Sequence, residues 1–184
     1  MRAWKTSTTP GTGGRQARTR VSLTTQKSYK TRRRVIATID GMDTDSEPVR
    51  FDTKIAVLLR DDLEVWQRLS VTAFLVSGIG QRAPEVIGEP YADADGTEYL
   101  PMFRQPVLVF EGSKETLTKA HERAISRGVA LSVFTADLFA TGNDRDNRAA
   151  VRAVRTADLD LVGMAVYGPR GAVDKIVKGA RMHS

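Results

Sequence analysis

From residue 54 the chain alternates short apolar runs with longer stretches of helical spacing, and this alternation limits the fold more than any other feature. The run "KIAVLL" (54–59) has the composition of a strand that is buried on both faces. A helix with one apolar stripe is predicted next, ending at Gly78 and Gly80. The predicted stripe comprises Leu63, Trp66, Leu69, Ala73 and Val76.

Two further strands follow in the same alternation with helices. The strand "PVLVFEG" (106–112) precedes a helix that Ser113 is suited to cap and Gly128 to end. A third strand, "ALSVFTA" (130–136), leads to a short helix from about Asn147. This order predicts an α/β fold whose first three strands are parallel. The chain then closes with a strand at 161–170 and a helix with apolar residues Val173, Ile176, Val177 and Ala180.

Polar residues follow the first and third predicted strands. Arg60, Asp61 and Asp62 end the first strand, and Asp137 and Thr141 come after the third. Because parallel strands place their carboxyl ends along one edge, where open α/β sheets bind ligands, we expect these residues on one rim. Asp62 is interpreted as the N-cap of the next helix, and Asp61 as a solvated partner of Arg60. This stretch is therefore interpreted mainly as the structural connection between the first strand and the next helix, beside a predicted cleft.

The segment 85–103 is longer than a crossover helix requires, and it is interpreted as an inserted hairpin. Its predicted turn lies at Asp95 and Gly96, a pair typical of tight turns. The flanking residues that favour β-structure are Val86, Ile87, Tyr99 and Phe103.

The residues that bind metals or cofactors in common sites are sparse. The acidic pairs at 93–95 and 144–146 lack the further oxygen ligands and terminal Glu of a calcium loop, so they are interpreted as ordinary acidic turns. The two histidines, His121 and His183, do not make a zinc site. No serine-hydrolase elbow, Walker loop or dinucleotide fingerprint occurs. We therefore expect neither a metal nor a cofactor.

The positive charge is concentrated at the amino terminus. The 184 residues carry a net charge of +6. Residues 1–41 contain ten Lys or Arg and one Asp, a charge of +9, so the remainder carries −3. The first 49 residues show no periodic apolar content and are interpreted as a disordered basic tail. Residues 50–184 are expected to form one domain.

Three explanations of the tail remain open: translation that starts at Met42, an organelle-targeting peptide, or an arm that binds nucleic acid nonspecifically. The apolar run "VIATI" is too short for a secretory signal, and no stretch approaches a membrane span. We therefore expect no membrane association. The sequence has no cysteine, which excludes disulfides and thiol nucleophiles and agrees with a reducing, cytoplasmic location.

Three segments resemble type II peptidyl-tRNA hydrolases. "KIAVLLRDDL" is similar to that family's first strand, "YGPRGAVDKIVKGARM" to its closing strand, turn and helix, and Asp137 and Thr141 keep its D-x-x-x-T spacing. The resemblance covers residues 54–182 and implies a three-layer α/β/α sandwich with a four-stranded mixed sheet and an antiparallel last strand. The chain after the tail also resembles an uncharacterised bacterial family of unknown function with this fold. The positions that match the type II peptidyl-tRNA hydrolases are Arg60, Asp62, Leu63, Gly168, Pro169, Asp174, Lys175, Val177 and Gly179.

The chain departs from the hydrolase family where that family holds tRNA. Glu64, Val65 and Trp66 replace a loop rich in lysine and glycine, and Arg68 is the one cation there. The family's second active-site threonine falls on Gly163. A rim without lysines, in a domain of charge −3, is expected to bind tRNA poorly.

Two functions remain open, and the departures favour the second. The first is hydrolysis of peptidyl-tRNA or another acyl ester, in which Asp137 positions or deprotonates water, Thr141 orients it and Arg60 stabilises an anion. The second is binding of a small molecule, as a binding or regulatory protein, in the same cleft. There Trp66 either stacks on the ligand or packs in the core. The oligomeric state, including a homodimer, is left open. The candidate ligand-binding residues are Arg60, Asp62, Trp66 and Arg68.

Overall fold

The structure, a computed structural model, describes residues 49–183. The predicted tail, except its last residue, and the Met42 start lie outside these residues. The described strands are β1 (Thr53–Arg60), β2 (Tyr91–Ala92), β3 (Glu98–Tyr99), β4 (Val107–Gly112), β5 (Leu131–Thr135), β6 (Leu161–Pro169) and β7 (Arg181–Met182). The α-helices are α1 (Val65–Arg82), α2 (Lys114–Ser126), α3 (Asp144–Arg152) and α4 (Arg170–Ile176), and short 3-10 helices occur at Pro84–Val86, Ala136–Ala140 and Thr156–Asp158.

The main sheet is mixed and has the strand order β5-β6-β1-β4-β7. Strand β1 pairs with β4 in parallel, whereas β6 is antiparallel to both β1 and β5. Strand β5 therefore runs in the same direction as β1 and β4, so the predicted α/β class, the parallel direction of the first three strands and the antiparallel last strand are confirmed.

The predicted count of four strands is wrong, because β7 adds a fifth. The predicted terminal helix extended to Ala180, but α4 ends at Ile176. Gly179 has φ of 95°, a conformation that favours glycine, and the chain beyond it pairs antiparallel with β4. The resemblance placed only helical structure after β6, so it held no signal for this short strand.

Helices cover both faces of the sheet. Alternate residues of β1 point to opposite sides, so this strand contributes to the core on each face. Ile55, Val57 and Leu59 belong to a core cluster with residues of α1. Ala56 and Leu58 belong to a second cluster with residues of α2 and α4. All five of these β1 residues are at most 1% exposed. The prediction that the first strand is buried on both faces is confirmed.

Helix α1 packs on the sheet through a different stripe from the predicted one. Its buried residues are Val71, Leu75 and Ile79, spaced four apart, as one helical face requires. Two members of the predicted stripe, Trp66 and Leu69, are 62% and 69% exposed. The prediction failed because α1 carries apolar residues on two faces, and spacing alone does not say which face meets the sheet.

Both predicted boundaries of α1 are also wrong. Asp62 is not the N-cap, because a turn in which the Leu63 N–H donates to the Arg60 carbonyl delays the helix. Glu64 occupies the N-cap, and its backbone N–H donates to the Gln67 side chain at 2.9 Å. At the other end the helix continues past Gly78 to Arg82. A Cβ on Gly78 would lie 3.3 Å from that of Ser132 on β5, so this glycine permits close packing.

Other local predictions fared better. Ser113 caps α2 through the Thr116 N–H, and Gly128, with φ of 61°, follows the end of that helix. The inserted hairpin is present as the antiparallel pair β2 and β3, with Gly96 in its turn at φ of 83°. Helix α3 begins at Asp144, three residues before the predicted start, because Asn143 caps it by accepting from the Asp146 N–H.

Candidate functional site

The charged residues at the carboxyl end of β1 form ion pairs with one another and with the start of β6. Arg60 Nε lies 2.7 Å from Asp62 Oδ1, and its Nη1 lies 2.9 Å from Asp160 Oδ1. Lys114, at the start of α2, lies 2.8 Å from the same Asp160 oxygen. The predicted pairing of Arg60 with Asp61 is therefore wrong. Lys114, and then Arg60, lower the pKa of Asp160, because both cations favour its charged form.

Arg68 forms a second ionic group beside the first. Its Nη1 lies 2.7 Å from Glu111 Oε2, and Arg181 Nε of β7 lies 2.7 Å from Glu111 Oε1. Arg68 also donates to the backbone carbonyls of Leu63 and Asp61, at 2.8 and 2.6 Å. Hydrogen bonds from Arg181 and then Arg68 lower the pKa of Glu111. Arg68 thus fastens the turn after β1 to β4. We call both ionic groups together the charged rim: Arg60, Asp62, Arg68, Glu111, Lys114, Asp160 and Arg181.

Next to the charged rim, α1, α3 and the 3-10 helix at 136–140 enclose a cleft with aromatic walls. The rings of Trp66 and Phe139 meet edge to face with centroids 5.8 Å apart. Phe139 lies 5.1 Å from Phe134, and Phe134 lies 5.8 Å from Phe74. Trp66 and Phe74 are nevertheless 62% and 59% exposed. Trp66 is therefore not part of the core; it stands at the surface with its ring set against a neighbouring ring.

Two overlapping cavities make up this cleft. One, of about 500 Å³, runs beside Trp66 and Thr141, and the other, of about 420 Å³, runs along β5 and α3. Each has the volume of a small-molecule site. We call their union the aromatic cleft; the residues that line both cavities are Phe74, Phe134, Leu138, Asp144 and Asn147.

The polar groups of the aromatic cleft come from the start of α3 and the turn before it. The Thr141 hydroxyl lies 2.8 Å from the Leu138 carbonyl oxygen and also contacts Asn147 Oδ1. Asp144 Oδ2 pairs with Arg148 Nη1 at 2.8 Å, one turn along α3. Asn147 Nδ2 takes part in none of the hydrogen bonds found within residues 49–183. The cleft therefore offers an amide donor beside a set of rings.

The structure separates the residues that the sequence grouped on one rim. Trp66 and Thr141 line the aromatic cleft, whereas Arg60, Asp62 and Arg68 are ion-paired in the charged rim. Asp137 is exposed in the 3-10 helix and does not line either cavity. It enters none of the side-chain hydrogen bonds or ion pairs of the described part of the chain.

Sequence reasoning missed the other rings of the cleft, Phe74, Phe134 and Phe139, and its amide, Asn147. Two of the rings come from β5 and the turn after it, far along the chain from Trp66. One available signal was the apolar content of α1, which exceeds what a single buried stripe needs. Phe74 belongs to that surplus.

Within residues 49–183, no group of three or more His, Asp or Glu side chains is placed to hold a metal ion. None of the helices described is both long enough and apolar enough to cross a membrane.

Comparison with known proteins shows the family of this chain and a similar solved structure. A family model described as a protein of unknown function, DUF2000, matches residues 53–184. The solved structure of the protein of unknown function Atu0240 from Agrobacterium tumefaciens strain C58 is 47% identical, with a TM-score of 0.72; the match covers 73% of this chain and 100% of that one. None of the curated proteins matches. The family match includes every residue of the charged rim and the aromatic cleft.

Proposed function

We propose that this chain, which belongs to the DUF2000 family of proteins of unknown function, binds a small planar molecule in the aromatic cleft. The observation that carries this proposal is the exposure of Trp66 and Phe74 on the walls of cavities of about 500 and 420 Å³. Large exposed rings beside a concave surface are typical of binding sites. Their contacts with Phe139 and Phe134 hold them in place before a ligand arrives, which lowers the entropic cost of binding.

The polar groups indicate what else the ligand carries. Asn147 Nδ2 can donate to an acceptor on the ring, such as a carbonyl or a ring nitrogen. Two cations line the cleft: Arg148, which pairs with Asp144, and Arg152, which enters none of the ion pairs found within residues 49–183. These contacts favour a heteroaromatic ligand, and Arg152 would accommodate an acidic group on it.

The ion pairs of the charged rim support a structural role for three of the candidate ligand-binding residues. Arg60, Asp62 and Arg68 hold the turn after β1 against β4 and β6, and this turn leads directly into α1. In this proposal Trp66 contacts the ligand, and the other three fix the helix that presents it.

We also propose that the domain has the fold of type II peptidyl-tRNA hydrolases, with β7 as an addition. The parallel pair β1 and β4 and the antiparallel β6 support this proposal. Gly163 of β6 argues against the same chemistry. A Cβ at this position would lie 2.5 Å from Val71 Cγ1 of α1 and 3.1 Å from Leu75 Cδ1. A threonine there would displace α1, so the chain has no room for that family's second threonine.

Hydrolysis of an acyl ester is the second candidate, and one observation favours it. Thr141 lines the aromatic cleft, and Asp137 lies four residues earlier, near the start of the 3-10 helix that ends just before Thr141.

A fluorescence titration tests ligand binding. The sequence has two tryptophans, so Trp4→Phe leaves Trp66 as the sole indole reporter. We expect one class of planar heteroaromatic compound to quench it saturably. Phe74→Ala should then weaken affinity about tenfold, the scale of one lost stacking contact. Leu100→Ala is the matched control, because Leu100 is 87% exposed on the hairpin side and lies outside the cleft.

Three results would contradict the proposal. The first is the absence of saturable quenching across the compound classes. The second is turnover of peptidyl-tRNA or an acyl ester that Asp137→Asn removes, which would establish the hydrolase. The third is a halved mass in Trp66→Ala, measured by light scattering, which would show that the rings are covered by a second copy of the chain.

A further inference from the structure

A separate cavity of about 260 Å³ lies at the opposite edge of the sheet, where β1 and β4 begin. It is remote from the aromatic cleft, because the charged rim lies at the other ends of these strands. Its walls combine apolar side chains with two cations and one amide. We call it the amino-edge pocket; the lining residues that matter here are Phe51, Thr53, Lys54, Gln105, Leu108 and Arg170.

Gln105 is the unusual member of this pocket. It is only 7% exposed. Its Oε1 accepts a hydrogen bond from the Thr53 hydroxyl at 2.9 Å. Its Nε2 is buried and has no hydrogen-bond partner in the described structure. Because a buried donor without a partner destabilises a protein, such groups are rare and call for an explanation. An acceptor supplied by a ligand in the pocket would satisfy it.

The charges of the pocket favour an anion. Lys54 is neutralised by an ion pair with Asp174. Arg170 donates from Nε and Nη2 to the Phe51 carbonyl oxygen, at 3.3 and 3.2 Å. No carboxylate pairs with Arg170 among the described residues, and its Nη1 donors are unused there. One uncompensated positive charge and one unsatisfied amide donor therefore line the same pocket.

We propose that the amino-edge pocket binds a small carboxylate that bears an apolar group. One carboxylate oxygen accepts from Gln105 Nε2 and the other from Arg170, and the apolar group packs on Leu108 and Phe51. A phosphate has more oxygens and charge than one amide and one guanidinium satisfy. A cavity of about 260 Å³ lies below the usual size of a drug-like site, which limits the ligand to a small acid.

Benzoate is a suitable probe, used with the full-length chain labelled with ¹⁵N. We expect it to shift the side-chain amide resonance of Gln105 saturably, the signal being identified by its loss in Gln105→Leu. Arg170→Gln should weaken benzoate binding about tenfold or more, because it removes a charged hydrogen bond. Lys175→Gln is the matched control, since it removes an exposed cation of α4 outside the pocket and should leave affinity unchanged.

Two further comparisons keep the test decisive. Gln105→Glu places a negative charge at the carboxylate position and should abolish binding even if Arg170→Gln is poorly folded. Benzyl alcohol, similar in size but neutral, should bind far more weakly than benzoate. Equal binding of the two probes, unchanged affinity in both charge variants, or no saturable shift of the Gln105 resonance would overturn the proposal. A shift that persists in Trp66→Ala separates this pocket from the aromatic cleft.

Discussion

The charged rim and the aromatic cleft lie side by side at the carboxyl edge of the sheet, yet their side chains are used in opposite ways. In the rim, Arg60 and Arg68 each bind a carboxylate, and Glu111 binds two guanidinium groups at 8% exposure. In the cleft, Trp66 and Phe74 are more than half exposed. The polar side chains of the rim thus bind one another, whereas the apolar side chains of the cleft face solvent. This contrast supports the proposal that the rim is scaffold and that the cleft is the binding surface.

The largest expected effect comes from moving α1, which carries Arg68 into the rim and Trp66 into the cleft. Gly163→Ala introduces a Cβ 2.5 Å from Val71 Cγ1, so we expect it to destabilise the domain by about 1–3 kcal/mol, as overpacking does. Urea unfolding measures this loss. Gly171→Ala is the control, because its Cβ meets open space and a helix prefers alanine to glycine. Equal stability of the two variants would show that α1 does not pack as described.

A smaller, pH-dependent loss is expected in the rim alone. Hydrogen bonds from Arg181 and Arg68 hold the pKa of Glu111 below the ordinary value of 4.5. Its stabilising contribution is therefore complete above that value and is lost as the pH falls through the lowered pKa of the folded state. Glu111→Gln should be less stable than the parent chain at pH 6, and the difference should shrink in acid.

Urea unfolding at a series of pH values measures this difference. Glu98→Gln is the control, because Glu98 is exposed on β3 and enters none of the ion pairs found within residues 49–183; the loss of stability at pH 6 should be specific to Glu111→Gln. A difference between Glu111→Gln and the parent that stays constant from pH 6 into acid would show that the rim does not act as an ionic scaffold.

The smallest effect is expected at Asp137, which belongs to neither region. Because its side chain is exposed and enters none of the ion pairs within residues 49–183, Asp137→Asn should change the free energy of unfolding by less than about 0.5 kcal/mol. Ligand affinity should not change either. If the domain instead hydrolyses an ester with Asp137 as base, the rate should fall by about a hundredfold or more, which makes a steady-state assay with peptidyl-tRNA the discriminating measurement.

The features that the sequence predicted correctly depend on short-range rules. The continuous apolar run of β1 indicated burial on both faces, and Ser113 and Gly128 marked the ends of α2 by capping chemistry that involves only neighbouring residues. The alternation of strands and helices predicted the directions of the strands, because crossover connections leave few alternatives.

The features that the sequence missed depend on which distant groups meet. Asp62 suits an N-cap in isolation, but Arg60 binds it, and Glu64 caps α1 instead. The shape of the turn after β1 determines whether Arg60 pairs with Asp61 or with Asp62. Residue types do not specify that shape. The rings of the aromatic cleft converge from α1, β5 and the following 3-10 helix, and no periodicity within one element relates them. Tertiary packing therefore decided both where the rings converge and which residue caps α1.

The most direct test of the contrast between rim and cleft is a crystal structure of the full chain soaked with a mixture of planar heteroaromatic fragments. We expect a fragment between Trp66 and Phe74, within hydrogen-bonding distance of Asn147 Nδ2, and intact ion pairs at Arg60 and Arg68. Fragments bound against Arg60 or Arg68 with displaced carboxylates, and none in the cleft, would contradict the assignment of the cleft as the binding surface.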